Sequence, residues 1–157
     1  LEMEESKEKT TIPKINIKIE ITDDPRTLKD RAVELHGHID TFTKYYDSAK
    51  YMLNVAESEL SRLRDMSLID ADKDEAYSKK SVDIKSSYGK SKLRYSVKIL
   101  SPLQGDDFLT NIEGEYTYDD FKKVICLLQY KSDRLESKLK ELMKAIEICN
   151  YYPIKSL

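Results

Sequence analysis

The sequence predicts an α+β fold, mainly helical, in which two long heptad helices form an antiparallel coiled-coil hairpin with a small antiparallel β-sheet at one end. Two long stretches place apolar residues at alternating steps of three and four, as coiled-coil helices do. Shorter stretches alternate apolar and polar residues, as half-buried strands do. Charged residues make up 36% of the chain against four glycines and four prolines, a composition typical of long solvated helices with few loops.

The domain organisation follows from these patterns. The length of 157 residues suits one domain. Residues 1–13 are polar and charged, so we expect a disordered tail there and a single domain over 14–157. The predicted elements are strand 14–22, helix 24–65, β-hairpin 80–100, acidic loop 103–116 and helix 117–151.

The N-terminal strand is predicted by strict alternation from Lys14 to Ile21, with isoleucine at every second position. Asp23, Asp24 and Pro25 then favour a helix start, because acidic residues and proline suit the first turn. The predicted core positions of the first helix are Leu28, Ala32, Leu35, Ile39, Phe42, Tyr46, Ala49, Leu53, Ala56, Leu60 and Leu63. A helix this long with one apolar stripe needs a packing partner.

The β-hairpin is predicted by two alternating runs, residues 82–84 and 93–99, around Gly89. Together with the N-terminal strand it would form a three-stranded sheet. Thr117 begins a capping-box pattern for the second helix, and Pro153 is predicted to end that helix. The predicted core positions of the second helix are Tyr118, Phe121, Ile125, Leu128, Ser132, Leu135, Leu139, Leu142, Ile146 and Cys149.

Antiparallel pairing of the two helices would bring their heptad positions together in layers. These run from Leu63 with Tyr118 at one end to Ala32 with Cys149 at the other. Ser132 is the one polar core position, and its buried hydroxyl needs a hydrogen-bond partner, from the Tyr46 hydroxyl or from a backbone carbonyl four residues back.

A second apolar stripe lies beside this seam on both helices, and two helices alone would leave it wet. Its residues are the predicted oligomer or partner interface: Tyr45, Met52, Val55, Val124, Leu127, Ala145 and Ile148. The small sheet could cover one end of it. We expect a second copy of the chain to cover the middle, and therefore a homo-oligomer.

The sequence contains little that resembles catalytic or metal chemistry. His36 and His38 lie two apart on a helix and face different directions, so they cannot share a metal. Aspartates at 70, 72 and 74 begin like a calcium loop, but Glu75 stands where glycine is required and Ser81 where glutamate is required. We therefore expect no enzyme, catalytic residue, cofactor, metal or small-molecule substrate.

The cysteines and the apolar runs bear on location. Cys126 and Cys149 would lie roughly 35 Å apart on one helix and could not bridge, so we expect reduced thiols. The longest apolar run, residues 124–128, is far too short to span a membrane, and no secretory leader is visible. These features favour an intracellular, cytoplasmic protein without a membrane partner, and leave open a nuclear or virus-encoded one.

Residues 79–98, here called the basic segment, contain seven basic residues and one acidic residue, a net charge of +6. They could bind single-stranded nucleic acid by phosphate contacts and base stacking. The candidate residues are Lys79, Lys80, Lys85, Tyr88, Lys90, Lys92, Arg94, Tyr95 and Lys98. Two structural interpretations compete: lysines that protect a sheet edge, and neutralisation by the acidic residues between 106 and 120.

Three classes of function fit this plan. The first is a non-enzymatic oligomeric coiled-coil assembly or adaptor protein that binds another macromolecule, with a protein as partner. The second is a single-stranded nucleic-acid-binding protein. In size, charge and helical plan, with the run Asp133-Arg134-Leu135-Glu136, the chain is similar to phage recombination mediators, small oligomers that load a recombinase on single strands. The third is a holdase, since two coiled-coil helices flanking a β-hairpin resemble the plan of prefoldin subunits. Neither resemblance assigns a functional residue.

Overall fold

The computed structural model describes the backbone of residues 25–155 and the side chains of residues 27–150. The predicted tail 1–13 and the predicted strand 14–22 lie outside the described residues. The elements are α1 (Pro25–Lys73), α2 (Val82–Lys92), β1 (Arg94–Ile99), β2 (Ile112–Thr117) and α3 (Tyr118–Lys155). The described chain is therefore mostly helical with a small antiparallel sheet, which confirms the predicted fold class in its coarse form.

The chain divides into two compact units. In its described part, the first unit combines α1 as far as Asp47 with α3 from Ser132 onward, so it consists of two helix segments. The second unit, Ser48–Lys131, holds the remainder of α1, α2, both strands and the beginning of α3. It therefore contains all of the non-helical structure of the described residues.

The core of the first unit follows the predicted heptads, with the addition of Ala145 from the second apolar stripe. Its buried apolar residues are Leu28, Ala32, Leu35, Phe42, Leu135, Leu142, Ala145, Ile146 and Cys149. The remaining heptad positions there are half-buried, except that Ser132 is fully buried, and its Oγ has no hydrogen-bond partner among the described residues. Neither predicted partner therefore reaches the Ser132 hydroxyl. The small serine side chain fits this core position, but its buried hydroxyl without a hydrogen bond lowers the stability of the fold.

The second unit is built around a two-stranded sheet. β1 and β2 pair antiparallel in a register that runs from Arg94 opposite Thr117 to Ile99 opposite Ile112. Val97 and Ile99 are buried, and the alternate side chains of β1 are exposed, as a half-buried strand requires. The apolar face of the sheet therefore contributes to the core of this unit.

The predicted β-hairpin 80–100 is wrong in its first half. Residues from Val82 to Lys92 form helix α2, because the Ser81 hydroxyl caps the first turn by accepting from the Ile84 amide (3.4 Å). The second half is confirmed as β1. Its partner strand is β2, which comes from the segment that we predicted to be an acidic loop. Two alternating positions in the first half were too few to separate a strand from a helix.

Both long helices extend beyond their predicted ends. α1 continues past residue 65 to Lys73, because the following turns contain no glycine or proline and bury Ser67 and Ala71. α3 starts at Tyr118, one residue after its predicted start, and it passes Pro153 and ends at Lys155. Proline removes a single backbone hydrogen bond, and here it does not end the helix. None of the described helices combines the length and the apolar character that a membrane crossing requires.

The segment between β1 and β2, which the sequence predicts as part of an acidic loop over 103–116, buries apolar side chains. Phe108 and Leu109 are buried, and the Asp106 carboxylate accepts hydrogen bonds from both of their backbone amides (2.8 Å each). The Lys131 ammonium group of α3 donates to the Phe108 carbonyl (2.8 Å) and lies 5.0 Å from the centre of the Phe108 ring. Asp106 and Lys131 thus hold the backbone of the buried residues Phe108 and Leu109 in place.

Candidate interaction surface on α2

α2 approaches α1 closely at Gly89. A Cβ atom built at Gly89 would lie 2.5 Å from the backbone oxygen of Ser67, closer than real contacts allow. Ser67 is itself fully buried, and its hydroxyl donates to the Arg64 carbonyl of the preceding turn (2.8 Å). Only glycine permits this backbone approach, so Gly89 determines how near α2 lies to α1.

Two aspartates at the C-terminal end of α1, and a third just after it, each accept a hydrogen bond from a side chain of the segment that follows. The pairs are Lys85 Nζ to Asp72 (2.6 Å), the Tyr88 hydroxyl to Asp74 (2.9 Å) and the Tyr95 hydroxyl to Asp70 (2.6 Å). These are the aspartates whose spacing resembles a calcium loop. No group of three or more histidine, cysteine, aspartate or glutamate side chains that could hold a metal occurs among the described residues. The aspartates instead fasten α2 and β1 to α1.

Both tyrosines of these pairs are held in their protonated form. The hydrogen bond to Asp74 is the main cause that raises the pKa of Tyr88 above its ordinary value. Burial, followed by the hydrogen bond to Asp70, raises the pKa of Tyr95 well above the ordinary range. At neutral pH each phenol is therefore a hydrogen-bond donor that serves to position the surface.

Stability at alkaline pH should depend on Tyr95. The folded state binds the phenol proton more tightly than the unfolded chain, so this stabilising contribution is complete below about pH 10 and is lost as the pH rises further. We expect Tyr95→Phe to lower the free energy of unfolding by about 1 kcal/mol at pH 7. We also expect a shallower loss of stability between about pH 10 and pH 11.5, measured by urea denaturation.

The matched control is Tyr51→Phe, which removes a phenol that is 55% exposed on α1. This variant should keep the wild-type difference in stability between the two pH values. Identical alkaline losses for Tyr95→Phe and the wild-type protein would contradict the structural role of the hydrogen bond to Asp70.

The surface of α2 carries an open groove of about 410 Å³. One wall is a pair of stacked rings, Tyr77 and Tyr88, with their centres 3.8 Å apart and their planes within 5° of parallel. The side chains that line the groove are Tyr77, Asp83, Ile84, Ser87, Tyr88, Ser91 and Lys92. The volume falls within the range of ordinary ligand pockets, although the groove is open to solvent.

Several candidate nucleic-acid-binding residues have structural contacts instead of an open position. Lys85, Tyr88 and Tyr95 donate side-chain hydrogen bonds to the three aspartates at and just after the end of α1. Lys90 lies with its ammonium group 5.2 Å from the centre of the Tyr118 ring of α3, within cation–π range. These side chains therefore hold the second unit together, which the sequence did not indicate.

The other candidates remain on the surface. Lys98 faces solvent opposite Glu113 of β2, but no ion pair joins the two among the described residues. The exposed cations of the basic segment that form no ion pair among the described residues are Lys79, Lys80, Lys92, Arg94 and Lys98. The predicted basic segment is thus reduced to five cations, placed just before α2, at its C-terminal end and on β1.

The predicted interface stripe is divided in a similar way. Met52 and Ala145 are buried within the chain, so in this conformation they cannot contact a partner. Tyr45, Val55 and Val124 are half-buried. Leu127 and Ile148 are 53% and 40% exposed, which leaves them as the accessible members of the stripe.

Sequence reasoning missed the apolar character of the α2 surface. The alternation predicts Val82 and Ile84 on the buried face of a strand, whereas they are 71% and 49% exposed on a helix. The stacking of Tyr77 with Tyr88 joins positions in different segments, so no spacing in the sequence indicates it.

Many proteins of different function combine helices with an open, aromatic-walled groove, and comparison with known proteins does not point to one of these functions. No protein-family model matches the sequence, and neither a curated protein nor a solved structure matches it. Function is therefore inferred from the geometry of the described residues.

Proposed function

We propose that this chain is a non-enzymatic assembly or adaptor protein that binds another protein through the surface of its second unit. The observation that carries the proposal is the groove on α2, where Ile84 is 49% exposed beside the stacked rings of Tyr77 and Tyr88. A single exposed apolar residue is common, but one that lines a groove walled by aromatic rings is typical of an interaction site. A binding role accounts for these features of the surface without a catalytic reaction.

We also propose that α1 and α3 form an antiparallel coiled-coil hairpin. Within the first unit, the buried side chains of both helix segments, apart from Ala145, lie at heptad positions, such as Leu35 and Leu142. Arg31 at the start of α1 lies near enough to Cys149, close to the end of α3, to favour the thiolate, although burial dominates and raises the pKa of Cys149. This proximity supports the layer that pairs Ala32 with Cys149.

Self-association through α3 is part of the proposal. Val124 and Leu127 lie three residues apart, which places them on one face of the helix, and a second copy would cover them. We expect Leu127→Glu to convert a discrete oligomer into a species of the monomer mass, 18.3 kDa, in multi-angle light scattering.

Met143→Glu provides the control for this experiment. Met143 is 58% exposed on the same helix but does not belong to the predicted stripe, so this variant should keep the mass of the wild-type protein. A wild-type protein that is already monomeric at micromolar concentration would contradict self-association and leave only the adaptor role. Equal dissociation by both variants would place the contact elsewhere on α3.

Single-stranded nucleic acid is the second candidate partner. The observation in its favour is the group of exposed cations around α2, which form no ion pair in the described part of the chain, with tyrosine rings between them. Against it stand the charge of −2 for the whole chain and the loss of Lys85 and Tyr95 to internal hydrogen bonds. The holdase alternative has no supporting observation among the described residues.

A further inference from the structure

We infer that the outer edge of strand β2 binds residues 14–21 of a second copy of this chain, which would add a third strand to the sheet. The inference rests on the proposed self-association and names the segment that the second copy contributes. It depends on three observations: the open edge of β2, the charged and apolar faces of that strand, and the matching alternation of residues 14–21, which lie outside the described residues.

The outer edge of β2 is open among the described residues. The sheet has two strands, so β2 pairs with β1 along one edge only. Between Ile112 and Tyr116, no other described residue forms a hydrogen bond with the backbone of β2. β1 differs, because the Arg62 guanidinium group of α1 donates to its Ser96 carbonyl (3.0 Å). A row of unpaired backbone donors and acceptors is a template for an added strand, and β2 provides this row.

The exposed face of β2 favours basic side chains on the added strand and disfavours a second β2. Glu113 and Glu115 are exposed, and neither forms an ion pair among the described residues. Two β2 strands paired side by side would bring these glutamates close to their counterparts, and like charges on facing strands destabilise a sheet. A strand with lysines at alternate positions would complement them.

The opposite face of β2 favours apolar side chains. Ile112, Gly114 and Tyr116 alternate with the glutamates and are half-buried, and Val97 and Ile99 of β1 are buried. Apolar residues on an added strand would extend this face and remove more of Ile112 and Tyr116 from water. The edge therefore suits a segment that is basic on one face and apolar on the other.

Residues 14–21 have this pattern. Isoleucine occupies positions 15, 17, 19 and 21, and the alternate positions are Lys14, Asn16, Lys18 and Glu20. Isoleucine is favoured in strands, and neither proline nor glycine interrupts the segment. When extended, the segment is about 26 Å long, which is enough to follow all six residues of β2.

The length of α1 indicates that the segment comes from a second copy. Fully extended, residues 14–24 reach no further than about 40 Å from Pro25, where α1 begins. Arg62, the α1 residue that contacts β1, follows Pro25 on this continuous helix by about 55 Å. The segment therefore cannot pair along β2 of its own copy, whereas two copies related by a two-fold axis can each donate one strand to the other.

The first test is a zero-length cross-link on the full-length chain. Unlabelled and isotope-labelled protein are mixed in urea, refolded together and treated with a carbodiimide, which joins a lysine amine to a carboxylate that it contacts. We expect mass spectrometry to find Lys14 or Lys18 joined to Glu113 or Glu115, with mixed light–heavy pairs among the linked peptides. The absence of any link between the two segments would overturn the inference, and so would links confined to chains of one isotope.

Charge reversal provides the second test. The double variant Glu113→Lys with Glu115→Lys should weaken self-association about tenfold, because like charges then face each other and each dimer contains this edge twice. Lys14→Glu with Lys18→Glu should have the same effect. A protein that carries all four substitutions should associate within about threefold of the wild-type value, since its charges are complementary again. Light scattering over a concentration series measures all three.

The matched control is Glu57→Lys with Glu147→Lys, which makes the same charge change at exposed positions of α1 and α3. It should associate like the wild-type protein. Equal weakening by this control, or no recovery when all four substitutions are combined, would overturn the inference. An oligomer that Leu127→Glu dissociates, but that gives no link between residues 14–21 and β2, would leave the assembly function standing. A monomeric wild-type protein would contradict both, so the two failures are distinguishable.

Discussion

Gly89→Ala is expected to lower the free energy of unfolding by about 2–3 kcal/mol, although alanine is the better helix former. The added methyl group would lie 2.5 Å from the Ser67 carbonyl oxygen, and that atom belongs to the backbone of α1 and cannot rotate away. α2 would have to move outward, which would lengthen the hydrogen bonds from Lys85 to Asp72 and from Tyr88 to Asp74. The gain in helix propensity, about 1 kcal/mol, is smaller than this cost.

Gly37→Ala is the matched control, because Gly37 is also a helical glycine. A Cβ atom at this position would meet nothing within 4 Å. We therefore expect this variant to raise the free energy of unfolding by up to about 1 kcal/mol, in the opposite direction to Gly89→Ala. Midpoints of urea denaturation measure both effects. Two glycine variants that shift the midpoint in the same direction would show that α2 is not seated on α1 at Gly89.

The long helices could be predicted from sequence because their signal is repeated many times. Along α1 and α3 the heptad positions are buried or half-buried, from Leu28 to Leu63 and from Tyr118 to Cys149. A 3.5-residue repeat sustained over about ten positions rarely arises outside a helix that packs along one stripe. The partner that covers the second stripe could not be predicted in the same way. An apolar pattern indicates that Met52 is buried, but not whether its own chain or another chain buries it.

The basic segment shows where local pattern reasoning fails. Val82 and Ile84 alternate with polar residues, but a helix cap at Ser81 and the contact at Gly89 favour a helix there. The glycine that we interpreted as a turn residue is a packing residue. Its role depends on Ser67, which is distant in the sequence, and one sequence carries no sign of that contact.

The candidate site was predictable only in its charge. Lys79, Lys80 and Lys92 were found because lysine is mostly exposed wherever it occurs. The groove itself depends on long-range pairs, such as Tyr88 with Asp74, whose partners lie in different segments. A pair of the same kind removed Tyr95 from the binding surface. Composition therefore indicated where charge would accumulate, and tertiary contacts determined which residues remained accessible.

Leu53→Asp is expected to have the largest effect of any single change discussed, a loss of about 4 kcal/mol or more, enough to unfold a marginally stable chain at about 25 °C. Leu53 is 3% exposed and lies between Ala49 and Ala56, both fully buried, on the stretch of α1 that contributes to the core of the second unit. A carboxylate at this position has no basic partner at a neighbouring core position, so it would be buried as an unpaired charge or would force the helix away from its neighbours.

Asn54→Asp introduces the same carboxylate one residue further along, at an exposed position of the same helix. Because this carboxylate stays in water, we expect the free energy of unfolding to remain within about 0.5 kcal/mol of the wild-type value. Far-ultraviolet circular dichroism and urea denaturation distinguish the two variants. A Leu53→Asp protein with wild-type helicity and an unchanged midpoint would mean that this side chain faces solvent, and the heptad phase of α1 would then be wrong. An unfolded Leu53→Asp protein beside a native Asn54→Asp protein would tie that phase to the burial that the structure gives to Leu53.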